Sequence, residues 1–148
     1  MDFARLSQAD MAQLGAQIAH ELCVGDVIGL SGDLGAGKTT LARGILAALG
    51  LEGEAPSPSF AIVQPYDASE LRLPVTHVDL YRIDNADECR ELALEDYAAE
   101  GVLLIEWPDR LPLEQWSEML RLSISGVGAT RALTAAVPPA WEGRWPPR

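Results

Sequence analysis

The run GDLGAGKTT, residues 32–40, sets three glycines, a lysine and two threonines in nine positions. Gly32, Gly37, Lys38 and Thr39 satisfy the spacing G-x-x-x-x-G-K-[ST]. The chemistry that needs this pattern is polyphosphate binding. Phosphate oxygens need many donors in a concave arc, and main-chain N–H groups supply them only where side chains keep clear. Glycine keeps clear and also permits the unusual φ angles of such an arc. The arc opens a helix, whose N-terminus contributes about half a positive charge toward the phosphates. In this pattern Lys38 bridges the β- and γ-phosphates, and the Thr39 hydroxyl meets Mg²⁺. With glycine at about 7% of residues, a chance match in a chain of this length is on the order of one in a hundred or rarer. No N-K-x-D tetrapeptide, the mark of guanine-specific loops, occurs, so ATP is favoured over GTP.

The flanking elements have to present that loop. Residues 26–31, DVIGLS, form a short apolar strand running into Gly32, and KTTLARGILAALG predicts a helix from Lys38 that stops at Gly50. Before them, residues 7–22 predict a helix capped by Ser7, with Met11, Leu14, Ile18 and Leu22 at helical spacing. The loop at 53–59 contains Pro56 and Pro58, which exclude a helix. Residues 60–66 and 71–83 read as two strands, and 86–94 as a helix behind capping candidates Asp84 and Asn85. Val102–Glu106, VLLIE, has the continuous apolar run of a strand buried on both faces. Residues 120–126 and 130–137 predict a closing hairpin, followed by a loose Pro-rich tail. The expected fold class is α/β: a P-loop NTPase-like three-layer fold, its central sheet mostly parallel with antiparallel additions at the edge. A single P-loop domain is expected over 1–137, with the tail at 138–148.

A P-loop fold also needs an acidic residue at the end of a neighbouring strand to complete the Mg²⁺ shell. Glu106 ends VLLIE and Asp79 ends VTHVD; spacing does not decide between them. Strand alternation puts Val75, His77 and Asp79 on one face, so His77 reaches toward the same site, although a structural histidine is the plainer expectation. His20 reads as structural. Ser57–Phe60, SPSF, follows the P-loop helix at the place where other P-loop proteins carry a hydroxyl that senses the γ-phosphate. Trp107 follows Glu106 and by default packs. Cys23 and Cys89 lack metal or redox spacing and are expected to be buried, reduced thiols.

The chain has 148 residues, 48% hydrophobic and 22% charged, the composition of one globular domain. Its net charge of −11 argues against gripping nucleic acid unaided, since phosphate backbones are held by Lys/Arg surfaces. No apolar run approaches the ~20 residues of a membrane span. The N-terminus lacks a basic-then-apolar leader. A cytoplasmic location is therefore expected.

GDLGAGKTT, SPSF, HVDLYRI and IEWPDRL occur in that order. Together they resemble the bacterial TsaE (YjeE) family, the ATPase component of the machinery that makes threonylcarbamoyladenosine on tRNA. The resemblance runs from the first helix to the final hairpin. It implies that Gly35, Ala36, Gly37, Lys38, Thr39 and Thr40 hold the phosphates, and that Thr39 and Glu106 are the Mg²⁺ ligands. It implies that Asp79 supports the metal and the attacking water. Ser59 stands where the family usually has threonine; the hydroxyl survives and the methyl group is lost. Trp107 matches the tryptophan after the metal ligand, in contact with nucleotide or partner. Gln8 and Arg131 fall where the family touches the base. The implied partners, TsaD-like and TsaB-like proteins, would hold the tRNA, in agreement with the acidic charge.

On this reading the chain is an accessory ATPase that resets or activates its partner. With no obvious arginine finger, it would be slow alone and faster with partners, since an arginine supplied in trans adds ~10³–10⁵ in rate in other P-loop systems. A small-molecule kinase would share the loop and the acid but also needs an acceptor pocket and usually a basic lid; the chain has only 11 Lys and Arg. A third possibility is an ATP-gated binding module without productive hydrolysis.

Overall fold

The computed structural model describes residues 2–33, 37–53, 63–126 and 130–147. The elements run β1 (Asp2–Leu6), α1 (Gln8–Glu21), β2 (Val27–Ser31), α2 (Lys38–Ala48), β3 (Val63–Tyr66), β4 (Val75–Asp79), α3 (Ala86–Glu91), α4 (Leu94–Glu100), β5 (Val102–Glu106), β6 (Leu120–Ser125) and β7 (Arg131–Ala136). Short 3₁₀ turns follow β5 and β7. Among the described residues the strands form one sheet in the order β1-β7-β6-β2-β5-β4-β3. Pairings β6–β2, β2–β5 and β5–β4 are parallel, whereas β1–β7, β7–β6 and β4–β3 are antiparallel. This is the expected parallel centre with antiparallel edges.

Burial follows from the strand sequences. Every residue of β4 and β5 is buried, as strands covered on both faces require. Val75, Val102 and Leu104 join Ile28 and Leu30 in a core with α1 and α2. Val78, Leu103 and Ile105 face the other way, into a core with Cys89, Leu94 and Trp116. The result is three layers.

Ser7 caps α1 as its type predicts. Its Oγ accepts the Asp10 N–H at 3.1 Å while Asp10 Oδ2 accepts the Ser7 N–H at 2.9 Å. Met11, Leu14 and Ile18 are buried at the predicted spacing. The helix crosses α2 very closely: a Cβ on Gly15 would lie 3.0 Å from the Ile45 nitrogen and 3.1 Å from the Gly44 carbonyl carbon.

Several expectations are corrected. β1 had no predicted counterpart; it pairs with β7 and carries a bulge between Phe3 and Leu6, where Arg5 has φ 59°. The strand expected over 71–83 is confined to Val75–Asp79, because Pro74 precedes it and a turn follows Leu80. The helix expected over 86–94 breaks at Ala93, φ 52°, into α3 and α4. Of the strand expected over 60–66 the structure describes Val63–Tyr66, with Pro65 on the sheet's outer edge. Cys89 is buried but Cys23 is exposed, since it follows the last turn of α1 rather than continuing its apolar face. The tail is not loose: Trp141 is fully buried in the core beneath α1 and α2, and Arg144 pairs with Asp26. Among the described residues no helix is long and apolar enough to cross a membrane.

Candidate functional site

The parallel register aligns three strand ends. Leu30 of β2 is level with Glu106 of β5, and Glu106 with Asp79 of β4. The alignment is tied off by main-chain bonds just past the ends: Trp107 N–H donates to Leu30 O and Leu80 N–H to Glu106 O, both at 3.1 Å. The phosphate loop leaves β2 at this rim, and ligands of open α/β sheets bind at the carboxyl ends of the strands.

Gly37 ends the loop and caps α2 with φ 110°, a conformation that side chains rarely tolerate. The second glycine of the motif is thereby explained. A Cβ there would lie 3.7 Å from Met11 Cε, so the first turns of α1 sit beside the loop. Gly35, Ala36 and Ser59 lie outside the described residues.

Lys38 is 5% exposed. Its Nζ donates to Gly32 O at 2.6 Å and Asp33 O at 2.8 Å, and lies 4.4 Å from the centre of the Trp107 ring. Burial pushes the ammonium below its ordinary 10.5, while Glu106, Asp79 and Asp33 pull the other way. Lys38 is thus a buried cation within the field of two strand-end carboxylates, at the start of the helix that follows the glycine motif. Thr40 follows in the first turn of α2, half-buried.

Thr39 Oγ1 donates toward Glu106, with Oε1 at 3.0 Å and Oε2 at 3.3 Å. The residues expected as Mg²⁺ ligands are thus brought together from positions 67 apart. Glu106 is 3% exposed. Its Oε2 also lies 2.7 Å from Nε2 of the fully buried His77. Asp79, 7% exposed, accepts the Tyr81 N–H on Oδ1 at 2.9 Å. Among the described residues no group of three or more His, Cys, Asp and Glu side chains is placed to hold a metal by itself. The donor set still suits magnesium, which binds through oxygen and usually takes one or two carboxylates plus substrate phosphates.

Trp107 adopts φ 63°, ψ 52° immediately after Glu106. Its ring lies 5.0 Å from that of Tyr81, at a 45° tilt. In the sequence, only its place two residues beyond Asp79 marks Tyr81. His77 was placed on the correct face by alternation, but its bond to Glu106 depends on the β4–β5 register. Arg131 belongs to the β1–β7 edge of the sheet and Gln8 to the helix that follows β1. Leu6 pairs with Arg131, Gln8 opens α1 two residues later, and Arg131 Nη1 donates to Thr130 O at 3.0 Å.

Comparison with known proteins places the chain in a family and agrees with the fold. Residues 6–133 match the family model described as threonylcarbamoyl adenosine biosynthesis protein TsaE. The chain is 39% identical over 122 residues to the tRNA threonylcarbamoyladenosine biosynthesis protein TsaE of Streptomyces coelicolor, covering 81% of this chain and 82% of that one. The proteins of the same name from Synechocystis and Bacillus subtilis are 45% and 39% identical, over 68% and 70% of this chain. The chain spans 65% and 64% of the length of those two. A crystal structure of Bacillus subtilis YdiB superposes with a TM-score of 0.73 at 29% identity, over 97% of this chain and 89% of that one.

Proposed function

The chain belongs to the TsaE family, and on that premise we propose that it is the ATPase subunit of the cytoplasmic machinery that forms threonylcarbamoyladenosine on tRNA. In this reading, Mg²⁺-dependent ATP hydrolysis resets or activates a TsaD/TsaB-type partner. The observation that carries the proposal is the contact of Thr39, on the helix after the phosphate loop, with Glu106 at the end of the adjacent strand, 3.0 Å apart.

On this reading each site residue has a role. Main-chain donors of the loop, including Gly35, Ala36 and Gly37, wrap the phosphates, assisted by the N-terminus of α2 and Thr40. Lys38 exchanges its two carbonyl partners for phosphate oxygens. Thr39 and Glu106 hold the magnesium, which when bound neutralises phosphate charge. Asp79, level with Glu106 and buried, orients the attacking water. Ser59 supplies a hydroxyl toward the γ-phosphate. Gln8, at the start of α1, and Arg131, paired with Leu6 two residues earlier, bracket the base. Trp107, half-buried over Lys38, touches nucleotide or partner. The net charge of −11 leaves tRNA to the partners, so tRNA is engaged only indirectly.

The kinase reading is weaker. A cavity of about 250 Å³ is lined by Tyr66, Pro74, Thr76, Tyr97 and Gly101. It lies at the starts of β4 and β5, the opposite end of those strands from Glu106.

The test is phosphate release from labelled ATP by the chain alone and with TsaD and TsaB proteins. Slow release alone, strong stimulation by the pair and loss of both in Glu106→Gln are expected. Equal rates alone and in the assembly would sink the coupling. Label appearing on a metabolite rather than as free phosphate would favour a kinase.

A further inference from the structure

His77 has no packing reason to be a histidine. It is fully buried on the sheet face whose neighbouring positions are Val75, Val102 and Leu104, where an aliphatic residue would fill the space without desolvating a polar ring. Its Nδ1 is buried and, among the described residues, has no hydrogen-bond partner. The polar contact found for the ring is Nε2 to Glu106 Oε2 at 2.7 Å. An ionised carboxylate only accepts hydrogen bonds, so Nε2 is the nitrogen that carries the proton.

We propose that His77 is a positioning residue for the magnesium site, locking the Glu106 carboxylate so that it presents a fixed oxygen to the cation held with Thr39. The inference rests on the function proposed above. Glu106 has two tethers in this structure, and they differ in kind. Thr39 Oγ1 reaches both carboxylate oxygens, at 3.0 and 3.3 Å, but it has a single O–H to donate, so by itself it does not fix which oxygen faces the cation. His77 does not compete for the cation. It approaches from the buried side, on β4, and takes Oε2, leaving Oε1 as the oxygen nearer Thr39. The β4–β5 register, which pairs Asp79 with Glu106 and His77 with Leu104, sets the imidazole one pleat below the carboxylate it holds. Partners of this kind typically contribute 10–100-fold to metal affinity without touching the metal.

The test compares wild type with His77→Phe, a ring that cannot donate, and His77→Gln, whose amide nitrogen can donate from a similar position. Affinity for an unhydrolysable ATP analogue is measured by calorimetry with magnesium and with chelator, alongside the thermal midpoint. Binding of Mn²⁺ in the presence of the analogue, followed by paramagnetic resonance, reads the metal directly. Phenylalanine is expected to cut the magnesium-dependent gain in affinity, and Mn²⁺ binding, by 10–100-fold, with chelator affinity within about twofold of wild type; glutamine restores most of the gain. Should phenylalanine not fold, His77→Leu takes its place. A wild-type gain retained in the phenylalanine variant overturns the inference alone. So does equal loss in both variants, which would make the histidine merely structural. Wild-type protein with no magnesium-dependent gain overturns the proposed function and this inference together.

Discussion

Arg144 grips Asp26 with both ends of its guanidinium, Nη1 to Oδ2 at 2.7 Å and Nη2 to Oδ1 at 3.0 Å, across 118 positions of sequence. Asp26 immediately precedes β2, the strand that delivers the phosphate loop, and its Oδ2 also accepts the Cys23 N–H at 2.7 Å. Arg144 donates further to Glu21 O and stacks 4.1 Å from the Trp141 ring centre. The last residues therefore clamp the base of β2, the strand that leads into the glycine loop. Arg144→Met is expected to cost about 1.5–3 kcal/mol, the range for charge-assisted bonds to a largely buried partner. Deleting 138–148 should cost more, because a fully buried tryptophan alone contributes about 3–5 kcal/mol. Chemical denaturation measures both; an unchanged midpoint in the truncated chain would refute the clamp.

Thr39→Val keeps the shape of the side chain and removes the hydroxyl that meets Glu106. The hydroxyl is one of the two proposed protein ligands of the magnesium, and even partners outside the metal's own shell are worth about 10–100-fold in metal affinity, so the variant's affinity for ATP in magnesium should fall by at least about tenfold. In chelator it should match wild type. Isothermal calorimetry separates the two; equal losses in both conditions would mean that the hydroxyl serves the loop rather than the metal.

Lys38 is the chain's only lysine, so its titration can be followed as a single side-chain resonance in lysine-labelled protein. Burial holds its folded pKa below the ordinary 10.5. The unfolded chain therefore binds more protons in the window between the lowered value and 10.5, and stability without nucleotide rises with pH there. Nucleotide acts in the opposite sense. Phosphate favours the charged ammonium, so binding takes up protons, and affinity is complete below the free-protein pKa and falls as pH rises through it. A resonance with its midpoint at or above 10.5 would contradict the burial argument.

Gly15→Ala pits two effects against each other. Alanine favours a helix by about 1 kcal/mol over glycine, but its Cβ would press on the Ile45 nitrogen at 3.0 Å and the Gly44 carbonyl carbon at 3.1 Å. Backbone cannot rotate away as a side chain can, so overpacking of about 1–3 kcal/mol wins. The variant should have a lower thermal midpoint and, because α1 carries Met11 against the loop, weaker nucleotide binding. A raised midpoint would show that the helices separate freely.

The parts legible in the sequence were those written locally. Capping by Ser7, the VLLIE run and the glycine loop each declare themselves within a few residues, so α1, β5 and the start of α2 could be anticipated; spacing left Glu106 and Asp79 undecided, and only the family resemblance joined Glu106 to Thr39, 67 positions away. What depended on distant partners could not. The bond between His77 and Glu106 requires the β4–β5 register, which no local pattern encodes. Ala93 breaks a helix by adopting φ 52°, a conformation for which alanine gives no signal. Trp141 sits in a proline-rich stretch whose composition suggests solvent, yet it fills space left beneath α1 and α2 by residues from the opposite end of the chain.

Both rims of the sheet refuse a guest. On β3, Pro65 removes a donor from the outermost ribbon, and on β1 the kink at Arg5 throws the ladder out of step. Neither rim, among the described residues, presents the unbroken row of amides and carbonyls that templated extension demands. The described rims favour a companion protein that takes hold of side chains, on helical surfaces or at the tips of the strands. Concentrated solutions of the folded chain should also resist the edge-on stacking that flat-rimmed sheets invite.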